Sequence, residues 1–241
     1  MTETIREQII QNVVTKIGRI RTANGYNTEA GKIVKRAELI PIDGDLLPAS
    51  SVFPLPELSL ERYSGRTLRQ MEVRVQAISQ LKGLNPSVVS ELLLGDLIEA
   101  VFGTSWTLNF DSGGTYHPQA GHEIEGESDG ATAIIESVVV DSGAFDDGDA
   151  DGSLVLRRLV GAFGDDETLK INGNVNSATV DGSITGQDPK DSTTGGLADS
   201  IDYVSGGNEV YPETVKVDDV VGAEIVLNIG YKTQTGDPYT Q

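Results

Sequence analysis

The chain has no cysteine in its 241 residues, and only two histidines and one tryptophan. Without cysteine there are no disulfides, thiolate nucleophiles or cysteine-ligated metal centres, and folding is independent of redox compartment. Two histidines are too few for an ordinary zinc site, which takes three or four ligands. His117 and His122 lie in a Gly/Pro-containing loop near Glu123 and read as solvated loop residues. No apolar run reaches the roughly 18 residues needed to span a bilayer as a helix. The N-terminal segment is polar and amphipathic, without the apolar core of a secretory signal, so the chain is expected to stay where it is made. Cations are scarce as well, with 18 Lys and Arg against 37 Asp and Glu and a net charge of −19. A surface this acidic repels phosphate backbones, which argues against adhesive binding to nucleic acid.

The pieces of familiar catalytic sites are missing too. There is no Gly-x-Ser-x-Gly elbow, and only the two histidines could serve a nucleophile as base. Gly113-Gly114 and Gly206-Gly207 lack the Lys and the following helix that make a phosphate loop. No carboxylate pair stands out for glycoside hydrolysis, and aromatics, the usual sugar platforms, are 5% of the chain, with Trp106 the single Trp. The best metal-binding candidate is Asp147-Gly148-Asp149-Ala150-Asp151-Gly152, whose alternating acids match the first half of a calcium loop. Arg158, however, stands where the bidentate Glu belongs, Arg157 sits beside it, and no helical pattern flanks the segment. An acidic β-turn whose glycines take positive φ explains the run better. The residues therefore read as a non-enzymatic chain with no cofactor.

What is present is a pattern of helices and strands. Residues 4–22 carry Ile5, Ile9, Val13 and Ile17 at helical spacing, with Thr4 and Glu7 as a capping box and Asn24-Gly25 as the stop. Lys32 to Ile40 and Ser51 to Tyr63 read as strands, the second confined to an edge by Pro54 and Pro56. Met71, Val73, Val75 and Ala77 alternate with polar residues as a half-buried strand. Asn85 caps and Pro86 begins a second helix. Its apolar face runs through Val88, Val89, Leu92, Leu93, Leu97, Val101 and Phe102 to a stop at Gly103. Val221 to Tyr231 alternate over the clearest strand of all.

The stretch between is different. Residues 104–195 hold 17 acidic and 4 basic residues, a net charge of −13. Short strand patterns there (Thr107–Phe110, Thr132–Val140, Leu154–Val160, Thr168–Ile171, Ala178–Ile184) are separated by Gly, Asp and Asn turns. Ile124-x-Gly126 followed by Ala131-Thr132-Ala133 is echoed by Ile171-x-Gly173 followed by Ala178-Thr179-Val180, from either two copies of a β unit or shared turn grammar. Removing the stretch joins the flanks at Gly195-Gly196-Leu197. The expected fold is α+β: an antiparallel sheet packed by two helices, built from 1–103 and 196–241, with an all-β domain inserted at 104–195. Twelve of the 18 cations precede residue 104, among them Arg62, Arg66, Arg69 and Arg74. They mark either a solvated strand face or a cationic edge for an acidic neighbouring subunit.

The flanks resemble the tail-terminator (tail-completion) proteins of long-tailed bacteriophages. The matching strings are Ile5-Arg6-Glu7-Gln8-Ile9-Ile10, Gly25-Tyr26-Asn27-Thr28, Met71-Glu72-Val73-Arg74-Val75, Asn85-Pro86-Ser87, Leu94-Gly95-Asp96-Leu97 and Gly236-Asp237-Pro238-Tyr239-Thr240. They cover residues 3–103 and 196–241. The stretch between is similar, more loosely, to a β module of phage tail and fibre proteins, through Gly126-x-x-x-Gly130-Ala131-Thr132-Ala133, Ser142-Gly143-x-Phe145, Gly148-Asp149-Ala150-x-Gly152-x-Leu154 and Gly161-x-Phe163. The resemblance implies a virion protein assembled in the host cytoplasm, forming a homo-hexameric ring at the head-proximal end of the tail. Its implied partners are the tail tube protein and a neck, head-completion or connector protein, with genomic DNA passing through the lumen unbound and no membrane involved. The insert is then expected to project outward. Head-closure, minor tail and tube proteins, and a carbohydrate-binding β module, are the competing readings.

Overall fold

In the computed structural model, which describes residues 3–37, 46–182, 184–189, 196–209 and 220–241, helix α1 spans Ile5–Gly18. Thr4 caps it, its hydroxyl accepting the Glu7 N–H at 3.1 Å. Only half of the expected capping box forms, because the Glu7 carboxylate binds the Arg36 guanidinium instead. The helix also ends earlier than its periodicity implies. Asn24-Gly25 closes a separate 3-10 turn at Thr22–Asn24, where Gly25 has φ +76°. Helix α2, Pro86–Phe102, begins as expected, with Asn85 Oδ1 accepting the Ser87 N–H at 3.0 Å.

Both helices pack on a five-stranded sheet of order β1 (Val34–Arg36), β2 (Ala49–Tyr63), β3 (Arg66–Gln80), β12 (Val220–Gln234) and β11 (Ser200–Glu209). The long central strands pair antiparallel, with Met71 opposite Ile229, Val73 opposite Leu227 and Val75 opposite Ile225. All six of these side chains are buried, so alternation in the sequence becomes one apolar sheet face. Two corrections follow. The sheet is not purely antiparallel, since β1 runs parallel to β2. The strand expected over Lys32 to Ile40 is confined to β1, with Glu38, Leu39 and Ile40 outside the described residues. Pro54 and Pro56 do sit at an edge, because β1 reaches only Ser50 to Val52 and the β2 register slips between Pro54 and Glu57.

A second unit comprises Thr22–Tyr26 and Gly103–Lys190, the first taking Met1–Arg21, Asn27–Phe102 and Asp191–Gln241. The expected boundaries differ here, since the short segment Thr22–Tyr26 groups with the β-rich unit. Strands β4 (Thr104–Gly113), β7 (Ala150–Val160), β6 (Thr132–Ser142), β5 (Glu123–Gly126), β8 (Thr168–Ile171) and β9 (Asn174–Val180) follow one another around a barrel, and β9 pairs back onto β4 to close it. Strand β10 (Thr185–Pro189) adds to β4. Closure leaves few open sheet edges and fills the interior with Leu108, Phe110, Ile135, Leu154, Leu156 and Leu169. The echoed segments are two hairpins, β5–β6 and β8–β9, that meet through their first strands, with Ile124 directly opposite Ile171. Two of the module-like glycines sit where the barrel has no room, whereas Gly130 has open space beside it. A Cβ on Gly152 would lie 2.0 Å from the Val139 carbonyl oxygen, and one on Gly143, at φ +68°, would lie 2.1 Å from that of Asp149.

Candidate assembly surfaces

The calcium candidates do not converge. Asp147 ends a 3-10 turn, Asp149 Oδ1 accepts the Ala144 N–H at 2.9 Å, and Asp151 is exposed on β7. Among the described residues no group of three or more acidic or histidine side chains is placed to hold a metal ion. The histidines are separate as well: His117 lies 2.8 Å from Asp146, and His122 lies 3.4 Å from the Tyr116 hydroxyl.

The buried polar groups bind the chain to itself. Asp96, fully buried in α2, accepts the Asn27 N–H at 3.2 Å and Nδ2 at 2.9 Å, and the Thr28 N–H and hydroxyl at 2.7 Å each. In the barrel, Glu167 accepts the N–H groups of Ser128 at 2.7 Å, Asp129 at 2.8 Å and Gly164 at 3.0 Å. Burial pushes its carboxyl up, but these backbone donors outweigh that and hold it below the usual range. Arg157 is buried although its neighbours suggest an outward charge. A bulge, with Arg158 at φ +52°, places Leu156 and Arg157 under cover consecutively. Its guanidinium donates to the Asn24 carbonyl and lies 4.3 Å from the Tyr26 ring centroid.

In the body a cavity of about 150 Å³ is lined by Thr4, Arg6, Glu57, Arg69, Tyr231, Thr233 and Pro238. Glu57 accepts from Arg69 at 2.5 Å and from the Tyr231 hydroxyl, with Arg6 at 3.6 Å. Burial, with Glu57 adding to it, pushes the Tyr231 hydroxyl far above its ordinary value. Two guanidiniums share the one carboxylate, and Arg6 also donates to the Leu55 carbonyl at 3.0 Å, so the cluster ties α1, β2, β3 and β12 together.

The exposed apolar residues are informative. At the β2–β3 hairpin Leu58 is 63% and Leu60 53% exposed. On α2 the expected single apolar face divides in two. Val89, Leu93, Leu97 and Val101 are buried, whereas Val88 and Leu92 remain exposed, in line with exposed Leu84 just before the helix. The arginines divide similarly. Arg69 pairs with Glu57 and Arg74 with Glu224, while Arg62 and Arg66 are exposed at the hairpin tip. The outer α2 stripe was readable from its i, i+4, i+8 spacing, but periodicity alone does not say which of two apolar stripes faces a sheet.

No family model matches the chain, and no curated protein is significantly similar to it in sequence. Among the described residues no helix is long and apolar enough to cross a membrane.

Proposed function

We propose that this chain is a structural subunit of a long-tailed phage virion, a tail-terminator-like protein that caps the tail tube as a ring of roughly six copies and joins it to the neck or connector. The observation that carries the reading is that strings resembling that family, far apart in sequence, meet in space. Asn27 and Thr28 of the first turn hydrogen-bond to Asp96 of Leu94-Gly95-Asp96-Leu97. Ile5 of the opening helix donates its N–H to the carbonyl of Pro238, in the C-terminal string, at 2.9 Å. The exposed apolar residues of the hairpin and of α2 favour assembly over life as a monomer. The net charge of −19 suits a ring through which DNA passes without adhering.

A head-closure, minor tail or tube protein is the second reading, because bodies of this α+β kind serve several roles. Immunogold labelling of virions separates them. Label confined to the head–tail joint is expected, label along the whole tail indicates a tube protein, and unlabelled particles overturn a virion role.

A further inference from the structure

Hairpin and helix stripe are separate surfaces of the same body, offset along its strand order. The order β1-β2-β3-β12-β11 puts the β2–β3 hairpin toward one edge, and α2 packs chiefly over β12 and β11 toward the other. Two different exposed apolar surfaces so placed suit a head-to-tail contact, the kind that closes into a ring. Their charges are complementary. Helix α2 carries no cation; Glu91, which accepts from Asn208 Nδ2 at 3.0 Å, lies beside the line of Leu84, Val88 and Leu92, and Glu99 lies further along it. The hairpin tip presents Arg62 and Arg66, neither ion-paired to another described residue, together with Glu61. Lys82, exposed just before Leu84, is the one cation at the start of the stripe and offers Glu61 a counterpart. Gly95 continues the line with open space above it, so a neighbour can approach the helix closely there.

We propose that the hairpin tip of one copy, Leu58 to Arg66, seats on the outer stripe of α2 of the next copy, its arginines facing Glu91 and Glu99. The contact rests on the ring reading above and names the surfaces that would close that ring.

The absence of native cysteine makes the test direct. Full-length chain carrying Leu60→Cys is mixed with full-length chain carrying Val88→Cys under mild oxidation. A disulfide-linked dimer is expected from the mixture and from neither variant alone. Leu92→Lys, with unchanged circular dichroism, is expected to weaken association roughly 30-fold or more in sedimentation analysis. Arg62→Glu with Arg66→Glu is expected to weaken it too, and Glu91→Arg with Glu99→Arg to restore it. Copies that assemble without the cross-link and tolerate Leu92→Lys overturn this contact while leaving the ring intact. A chain monomeric at every concentration also overturns the contact. The ring reading itself falls separately, on the copy number in virions.

Discussion

Replacing Asp96 removes the acceptor that ties the Asn27–Thr28 turn to helix α2, and the structure sets the size of the effect. Both bonds from Thr28 are 2.7 Å long and reach a fully buried carboxylate. Hydrogen bonds to a charged group contribute about 1.5–3 kcal/mol each, and an orphaned buried donor costs about 1–3 kcal/mol. Asn27 is exposed and regains water when its partner goes, so its two bonds add little. Asp96→Ala should then destabilise the body by about 3–5 kcal/mol, a large share of a typical 5–15 kcal/mol total. At about 2–4 °C per kcal/mol for a unit of this size, Tm falls by roughly 6–20 °C. Asp96→Asn keeps the shape and one acceptor but turns donors toward donors, so its loss should be smaller, about 2 kcal/mol. The two units can be followed separately in one melt. Both α-helices described lie in the body, so helical circular dichroism reports on it, whereas Trp106, the single tryptophan, packs against the barrel core and reports on that unit by fluorescence. The dichroism transition should move and the fluorescence transition should not. A loss under about 1 kcal/mol for Asp96→Ala, or an Asn variant as stable as the parent, would refute the argument.

Three further perturbations test other parts of the fold. Glu167→Gln should destabilise the barrel by about 2–4 kcal/mol, since one donor then faces a donor and two bonds lose their charge. Because the folded carboxyl titrates below its unfolded value, its stabilisation is present above the ordinary carboxylate range and disappears as pH falls through the folded value; the variant should flatten that acid limb in fluorescence-monitored melts. Tyr231 shifts the opposite way, so its contribution is intact below the ordinary tyrosine value of about 10 and fades as pH rises beyond it. Tyr231→Phe should flatten the alkaline limb of the dichroism transition, and an unchanged limb would contradict the burial assigned to it. Gly152→Ala should cost the barrel at least about 3 kcal/mol in fluorescence-monitored denaturation, because the clash is with the Val139 backbone and no side chain can yield.

Much of the body was legible because its signals are local. Thr4 and Asn85 cap the helices they announce, and the alternation from Met71 to Ala77 and from Val221 to Tyr231 becomes two central paired strands. What escaped depends on partners distant in sequence. Glu7 reads as half of a capping box, yet Arg36 takes its carboxylate. Asp96 looks like an interruption in an apolar helix until Asn27 and Thr28 arrive 69 and 68 residues away in sequence. Strand β5 has four residues and β10 five, too short for alternation to stand out. The burial of Arg157 has no local signal, because it depends on the bulge at Arg158 and on Asn24 and Tyr26 far away in sequence. For the candidate surfaces, the sequence shows the cations of the hairpin and the apolar residues of α2. Only packing separates Arg62 and Arg66 from the paired Arg69 and Arg74, and Val88 and Leu92 from the buried Val89 and Leu93.

The most direct test of the ring-forming role is the number of copies per virion, measured by quantitative mass spectrometry of purified particles against the major capsid protein. The account predicts a value near six, one ring per particle. Hundreds of copies, or none, would contradict it.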